Sequence, residues 1–228
     1  MTENQEETLL WRPDTAVSEN ANLTAYMRWL AVNKRVYTAT YGELWRWSVE
    51  NVADFWESLW DYFHLSYSQP WETPLARRDM PGAVWFPGAR LNYAENIFAQ
   101  MTDERPMMLY KAEDEPLVEL SWQSVYDQAN RLAEVLREMG VQPGDRVVAY
   151  LPNIPEAITA VLAVASLGAI WSSCAPDFGS RSVLDRFSQI EPKVLIAVDG
   201  YRYGGKTFER RGGVAAVQVY VVKPDGSS

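Results

Sequence analysis

The sequence predicts an α/β protein that begins with a helical segment rich in aromatic residues. Two patterns indicate this class. From residue 105 onward, short apolar runs alternate with helical repeats, which is the pattern of parallel strands joined by helices. Before that point aromatic residues recur at helical spacing, and six of the ten tryptophans lie within the first 70 residues. We therefore divide the chain into an N-terminal segment with its linker, residues 1–104, and the beginning of an α/β domain, residues 105–228.

The N-terminal segment is predicted to contain helices at 22–30, 41–48 and 52–63. The last of these carries an apolar stripe that begins at Val52 and ends at Phe63. We interpret the aromatic residues as a core between the helices. The alternative is a surface on which sugars stack, but sugar sites usually present aromatic rings on open faces rather than along a helical stripe.

Residues 69–88 are predicted to be irregular and to wrap over the surface of the next unit. Four prolines fall in this stretch, and proline blocks helices and central strands. A short helix is expected over 91–100.

The α/β part begins with two predicted strands, 107–111 and 118–121. The acidic turn Glu113-Asp114-Glu115-Pro116 joins them. Ser121 is a predicted N-cap, and Gly140 a predicted C-cap, for the long helix between them.

Three further apolar strands alternate with two helices. The strands are predicted at 146–151, 169–173 and 193–198, and the helices at 155–167 and 180–190. Asn153 and Glu156 form a capping pattern at the start of the first helix. Ligands of such sheets bind beyond the carboxyl ends of the strands, which here are Asn153, 174–179 and 199–206.

Composition excludes several classes of function. A balance of 21 basic and 30 acidic residues gives a net charge of -9, which argues against general binding to nucleic acid or to anionic membranes. The apolar run 157–171 is too short to span a bilayer, and residues 1–8 lack the apolar stretch of a signal peptide.

The single cysteine, Cys174, excludes an internal disulfide and fits a reducing compartment, the cytoplasm. With one histidine, His64, the chain offers little for a metal site or a Ser-His-Asp triad, so we expect both residues to have packing roles, Cys174 buried and His64 partly buried.

Residues 200–211 form a basic stretch in this acidic chain, with four basic residues and one acidic residue. Arg202 and Lys206 follow a predicted strand end, and Gly204 and Gly205 allow a ligand to approach the backbone closely. Two interpretations stay open at this point: a solvated surface loop, or a loop that contacts an anion.

Seven strings of residues point to a known family. They are 22–30 (NLTAYMRWL), 44–49 (LWRWSV), 85–96 (WFPGARLNYAEN), 144–147 (GDRV), 151–153 (LPN), 168–172 (GAIWS) and 199–206 (DGYRYGGK). The chain resembles the adenylate-forming acyl-CoA synthetases over roughly residues 9–211. The tryptophan-rich opening resembles the acetoacetyl-CoA synthetases among them, whereas the later strings are shared with acetyl- and propionyl-CoA synthetases.

The resemblance implies a ligase that works in two steps on small molecules. Acetoacetate attacks the α-phosphate of ATP, with Mg²⁺, to give an acyl-adenylate and pyrophosphate. The thiol of coenzyme A then attacks the acyl carbonyl and expels AMP. The resemblance implies nothing about oligomeric state.

The sequence departs from this family in what it lacks. It has no Ser/Thr/Gly-rich phosphate loop followed by lysine, and the family's ribose-binding aspartate and adenylation lysine are expected beyond residue 228. After Arg211 a predicted strand, 214–222, stands where the family has a helix. We therefore expect the opening third of such a ligase, with a deletion, an altered frame or a deliberate cut near Gly212. We assign no catalytic residue and no metal ligand, and we expect these 228 residues alone to be inactive.

The resemblance also implies roles for particular residues. The loop that carries Arg202, Gly204, Gly205 and Lys206 is similar to the one that meets the 3′-phosphate of coenzyme A. Pro176 lies in a segment that is similar to one beside the coenzyme A adenine. Asp177 in the same segment is interpreted as a turn residue that caps the helix after it. The family-signature residues Trp85, Phe86, Asn92 and Asn96 are expected to fasten the N-terminal segment to the main domain.

Two rival functions stay open. One is a synthetase for another short acid, such as acetate or propionate, because in this family the acid pocket lies outside these residues. The other is a non-catalytic, aromatic-rich binding module. We also expect the chain to be marginally soluble or to self-associate, because a parallel sheet that stops after a few strands has an unpaired edge and an exposed apolar face.

Overall fold

A computed structural model describes residues 10–113, 115–209 and 219–221. The chain divides into two units, Met1–Arg90 and Leu91–Ser228. Our own division at residue 104 rests on sequence patterns and stays a prediction.

The described part of the first unit contains four helices and a pair of short strands. They are α1 (Thr15–Glu19), α2 (Asn22–Asn33), α3 (Tyr41–Glu50), α4 (Val52–Tyr62), β1 (Leu75–Arg77) and β2 (Val84–Trp85). The three predicted helices are confirmed. Helix α1 escaped prediction because five residues carry no apolar stripe, although Asp14 caps it by accepting a hydrogen bond from Val17 N at 2.8 Å.

The stretch predicted to be irregular contains the antiparallel pair β1 and β2. The prediction was wrong here because the prolines lie outside both strands, which leaves the ladder free to form. The peptide bond between Met80 and Pro81, in the connection of the two strands, is cis.

The core of the first unit is smaller than the aromatic content predicts. Tyr26, Leu30 and Leu44 are buried, and the Tyr26 hydroxyl lies 2.6 Å from Ser58 Oγ. Trp60 is also buried and packs 4.9 Å from the ring of Phe86. Most of the other rings are at least partly exposed, among them Tyr37, Tyr41, Trp45, Trp56 and Phe63. The prediction of a buried aromatic core is therefore right for Tyr26 and Trp60 and wrong for these exposed rings.

His64 corrects a second expectation. It follows α4 with a φ of 50° and is exposed rather than partly buried. The helical repeat ends before His64, whose φ is left-handed, so the apolar stripe of α4 does not determine how this side chain is covered.

The described part of the second unit contains four helices and eight strands. They are α5 (Tyr93–Phe98), β3 (Met108–Tyr110), β4 (Val118–Leu120), α6 (Trp122–Glu138), β5 (Arg146–Tyr150), α7 (Pro155–Ser166), β6 (Ile170–Cys174), α8 (Ser180–Ser188), β7 (Val194–Ala197), β8 (Gly200–Tyr203), β9 (Lys206–Glu209) and β10 (Val219–Val221). Of the predicted strand 214–222, only β10 lies within the described residues.

Four of these strands form the predicted parallel sheet, in the order β10-β7-β5-β6. Side chains alternate between its two faces. Val147 and Ala149 pack in one apolar cluster with α6 and α7, whereas Val148 and Tyr150 pack in another with α8. The sheet is therefore the middle layer of an α/β unit, as the sequence predicts.

The helix caps are confirmed in part. Ser121 Oγ accepts from Ser124 N at 3.1 Å, whereas the C-cap of α6 is Met139, and the predicted C-cap Gly140 is the next residue, with a φ of 80°. The Asn153 cap is wrong, because α7 begins with Pro155 and its N-cap is Ile154, which has no side-chain acceptor. Asp177 likewise does not cap α8, whose N-cap is Gly179 with no side-chain hydrogen bond.

Candidate ligand site

The carboxyl ends of the parallel strands lie along one edge of the sheet. Strands β5, β6 and β7 end at Tyr150, Cys174 and Ala197. The segments that follow them, 151–154, 175–179 and 198–209, therefore emerge at this edge, which is where ligands bind in sheets of this kind.

The Tyr150 hydroxyl forms hydrogen bonds with the backbone of the segment 175–179. The Tyr150 hydroxyl lies 2.8 Å from the carbonyl oxygen of Pro176 and 2.6 Å from that of Phe178, so its proton is shared between the two acceptors. The Arg186 guanidinium lies 4.6 Å above the Phe178 ring. Pro176 is buried in this arrangement, whereas Ala175 and Asp177 are exposed at the edge.

The basic stretch after β7 is a β-hairpin and not the loop that the sequence suggested. Strands β8 and β9 pair antiparallel, with Tyr203 opposite Lys206 and Gly204-Gly205 as the two-residue turn. Both glycines have positive φ, 58° and 70°, which is the geometry of a tight hairpin turn. The loop prediction failed because the aromatic pair that supports the strands, Tyr201 and Phe208 stacked at 5.1 Å, was not recognised as cross-strand.

The hairpin register separates the two candidate cations. Arg202 lies opposite Thr207, and Lys206 lies opposite Tyr203. Because successive residues of a strand point to opposite faces, Arg202 and Lys206 lie on opposite faces of the ribbon. Both side chains are exposed.

A carboxylate from the β3–β4 connection contacts the tip of the hairpin. Gly204 N donates to Glu113 Oε1 at 2.8 Å, and Gly205 N donates to Glu113 Oε2 at 3.0 Å. The two backbone hydrogen bonds, with help from the Arg202 charge, hold the pKa of Glu113 below its ordinary value. The carboxylate therefore accepts both bonds at neutral pH, and the contact is lost as the pH falls through this lowered pKa.

The Gly144-Asp145-Arg146 string lies at the opposite edge of the sheet. Lys193 donates to Asp145 at 2.8 Å, which lowers the pKa of that carboxyl together with Gln142 N. Arg146 donates to the carbonyl oxygens of Ile190 at 2.6 Å and Glu191 at 2.8 Å. These contacts tie the amino ends of β5 and β7 to the adjoining turns, so this part of the family resemblance is structural.

Other residues singled out from the sequence also have packing or capping contacts. Cys174 is buried, as predicted, at the end of β6. Asn92 caps α5 and donates to the carbonyl oxygens of Ala165 and Ser166 at 3.1 and 3.0 Å. Asn96 donates to the Asn92 carbonyl at 2.9 Å.

Within residues 10–113, 115–209 and 219–221, no group of three or more His, Cys, Asp or Glu residues is arranged to hold a metal ion. In the same part of the chain no helix is long and apolar enough to cross a membrane.

Sequence reasoning missed the two residues that shape this edge most directly. Tyr150 was interpreted only as a strand residue, and Glu113 only as part of an acidic turn. The Glu113 contact joins residues 91 positions apart, and nothing in the local pattern signals it. A tyrosine at the last position of a buried strand was a usable signal, because a buried hydroxyl needs a partner.

Comparisons with known families cover most of the chain. The family described as acetyl-coenzyme A synthetase N-terminus matches residues 41–97, and the family described as AMP-binding enzyme matches residues 97–225. Curated relatives include acetoacetyl-CoA synthetase of Macaca fascicularis, 39% identical over 204 residues, and acetoacetyl-coenzyme A synthetase of Rhizobium meliloti, 40% identical over 203 residues. These matches cover 87% and 89% of this chain but only 30% and 31% of the relatives. Malonamoyl-CoA synthetase vrtB of Penicillium aethiopicum is 33% identical over 209 residues, covering 88% of this chain and 28% of that protein.

A solved structure agrees with the sequence relatives. Acetoacetyl-CoA synthetase from Streptomyces lividans matches 96% of this chain and 35% of its own chain, with a TM-score of 0.89 and 43% identity. The chain thus spans about a third of the length of the proteins that it resembles. With the AMP-binding match extending over more than half of its residues, the chain belongs to the AMP-binding enzyme family, and its relatives include acetoacetyl-CoA synthetases.

Proposed function

We propose that this chain forms the N-terminal part of an acetoacetate–CoA ligase, which converts acetoacetate, ATP and coenzyme A to acetoacetyl-CoA, AMP and pyrophosphate in the cytoplasm. The observation that carries the proposal is the 43% identity and TM-score of 0.89 to an acetoacetyl-CoA synthetase over 96% of this chain. Both units take part in that match, so the proposal does not rest on the widely shared α/β motifs alone.

The residues of this chain suit binding of coenzyme A rather than binding of the ATP phosphates or Mg²⁺. The Gly204 and Gly205 amides already hold an oxyanion, and Arg202 lies two residues away, which suits the 3′-phosphate of coenzyme A. The sequence has no Ser/Thr/Gly-rich loop for the phosphates of ATP, and the described residues have no cluster for Mg²⁺. We therefore assign coenzyme A contacts to this chain and derive no adenylation step through it.

Each proposed contact has its own physical basis. Arg202 supplies charge and a forked donor, and the glycine amides supply two donors that need no side chain. Lys206, on the other face of the hairpin, contributes charge to the surrounding field. Pro176 is proposed to act by shaping the 175–179 backbone beside the adenine, since its ring is buried.

A synthetase for another short acid is kept as the second candidate. The relative named malonamoyl-CoA synthetase favours it, because a protein 33% identical to this chain is named for an acid other than acetoacetate. The aromatic-rich binding module loses support, because the match to acyl-CoA synthetases includes the aromatic segment, residues 41–97.

Pyrophosphate exchange tests the proposed function. The 228-residue chain alone is expected to show exchange at background with acetoacetate and ATP. A chimera in which residues 10–209 replace the matching segment of the Streptomyces lividans enzyme is expected to turn over acetoacetate. The intact Streptomyces enzyme, and that enzyme without the segment, are the positive and negative controls.

Either of two results would count against the proposal. One is exchange above background by the chain alone, which would mean that the phosphate-binding groups were not recognised. The other is a chimera that is soluble and folded by circular dichroism but forms no acetoacetyl-CoA. The chimera does not decide acid specificity, which is read from assays of acetoacetate, acetate and propionate on the longer protein that contains this chain.

Replacing Arg202 with alanine is expected to weaken coenzyme A binding about fivefold, because an exposed charge pair contributes about 1 kcal/mol. Calorimetric titration compares coenzyme A with its 3′-dephospho form, and the preference for coenzyme A should shrink about fivefold in the variant, because the glycine amides remain. Lys206→Ala is expected to have a smaller effect, and Arg131→Ala on α6 is the charge-matched control. Equal affinity for both forms in the unchanged protein would remove the phosphate role.

A further inference from the structure

The tip of the β8–β9 hairpin is an anion site that the protein fills with one of its own side chains. Gly204 N and Gly205 N donate to different oxygens of the same Glu113 carboxylate, at 2.8 and 3.0 Å. Both glycines hold positive φ, so the two amides converge on one side of the turn. A Cβ on either glycine would meet no atom within 4 Å, so neither glycine is required to avoid a clash. The backbone geometry and the donor pair are what this turn supplies.

We propose that Glu113 is an internal ligand of this turn, which competes with a phosphate monoester for the Gly204 and Gly205 amides and sets the affinity of the hairpin for it. The proposal rests on the proposed function only in taking the 3′-phosphate of coenzyme A as the natural competitor. A carboxylate and a phosphate monoester share the relevant chemistry, since each presents two oxygens of one anion to two parallel donors.

Competition follows from the hydrogen-bond inventory of the turn. Each backbone amide has one proton, so a donor that is bonded to Glu113 is not available to a second acceptor at good geometry. Arg202 favours an anion at this position whichever one is bound. Glu113 must therefore leave before a phosphate gains both amides, and the measured affinity is reduced by the fraction of molecules in which Glu113 is bound.

The placement of Glu113 permits such exchange. It lies in the connection between β3 and β4, outside both strands, and the carboxylate is at the surface. Leaving the turn exposes it to water, where a carboxylate is well solvated. The acidic neighbour Glu115 lies in the same connection and has no bond to the turn in the described contacts, which makes it a matched control.

The test uses the full chain labelled with ¹⁵N, in three forms: unchanged, Glu113→Gln and Glu115→Gln. At neutral pH the Gly204 and Gly205 amide protons are expected to move upfield in Glu113→Gln, because a neutral amide oxygen is a weaker acceptor than a carboxylate. Titration with inorganic phosphate is then followed on these two amides. Glu113→Gln is expected to reach half-saturation at a concentration roughly three to ten times lower than the unchanged chain. Glu115→Gln, with the same loss of charge, is expected to change it less than twofold.

Equal half-saturation for the unchanged chain and Glu113→Gln would overturn the proposal. So would equal tightening by Glu113→Gln and Glu115→Gln, which would show a general effect of charge. A second pair of titrations, with coenzyme A and 3′-dephospho-coenzyme A, separates this inference from the proposed function. If Glu113→Gln tightens phosphate but neither chain prefers coenzyme A, the internal ligand stands and the coenzyme A site fails. If the unchanged chain prefers coenzyme A but Glu113→Gln binds it no more tightly, the coenzyme A site stands and the internal ligand fails.

Discussion

Replacing Val148 with aspartate is expected to abolish folding of the α/β unit. Val148 is 0% exposed in β5, which pairs with β6 on one side and β7 on the other. Its side chain packs in the apolar cluster that includes Val183, Phe187 and Leu195. A carboxylate there has no partner, and burying an unpaired charge or a shifted neutral acid costs at least about 4 kcal/mol, comparable to the stability of a whole domain.

The measurement is the soluble fraction after expression, together with the far-ultraviolet circular dichroism of whatever remains soluble. Val148→Thr is the matched control, because threonine keeps the shape of valine and its hydroxyl carries no charge. It is expected to cost about 1–2 kcal/mol and to leave a folded protein. If Val148→Asp unfolded in urea at the same concentration as the unchanged chain, the assignment of β5 to the centre of the sheet would be wrong.

The parallel sheet could be predicted because its two central strands, β5 and β7, combine two independent signals. Residues 147–150 and 194–197 are continuous apolar runs, as expected for strands covered on both faces, and turn residues bound them. The helices between them have an apolar stripe or an apolar surface. Local pattern and burial therefore agree, and sequence reasoning succeeds where they agree.

Prediction was less successful where one signal was weak or where two competed. The predicted cap Asn153 lies one residue too early in the chain. Pro155 is the first residue of α7, so the N-cap is Ile154. The hairpin of β8 and β9 was missed because two adjacent glycines were interpreted as room for a ligand to approach the backbone, although they are also preferred residues of a two-residue hairpin turn. The exposure of the aromatic rings in the first unit was misjudged because helical periodicity gives the direction of a side chain but not what covers it.

The candidate site depends on contacts that a single sequence does not encode locally. Arg202 and the two glycines could be proposed from charge and composition. Their partner Glu113 could not, because it lies 91 residues before Gly204 and only the tertiary structure brings the two together. Tyr150 lies between these cases, since its burial was predictable and its acceptors, the carbonyls of Pro176 and Phe178, were not.

Truncating Leu136 to alanine is expected to cost about 3 kcal/mol of unfolding free energy. Leu136 is 1% exposed near the end of α6 and lies in the cluster that joins this helix to α7 and the sheet. The loss combines the transfer free energy of the removed methyl groups with the cavity left between elements that cannot close on it. Urea unfolding followed by circular dichroism gives the difference in unfolding free energy. It is the shift in the midpoint urea concentration multiplied by the slope m, which should be the same for both proteins. The adjacent residue Val135, which is 47% exposed on the same helix, provides the control, and Val135→Ala is expected to change stability by less than about 0.5 kcal/mol. Similar costs at the two positions would contradict the orientation of α6, because only one of these neighbours can face the sheet when successive residues differ by about 100° around the helix.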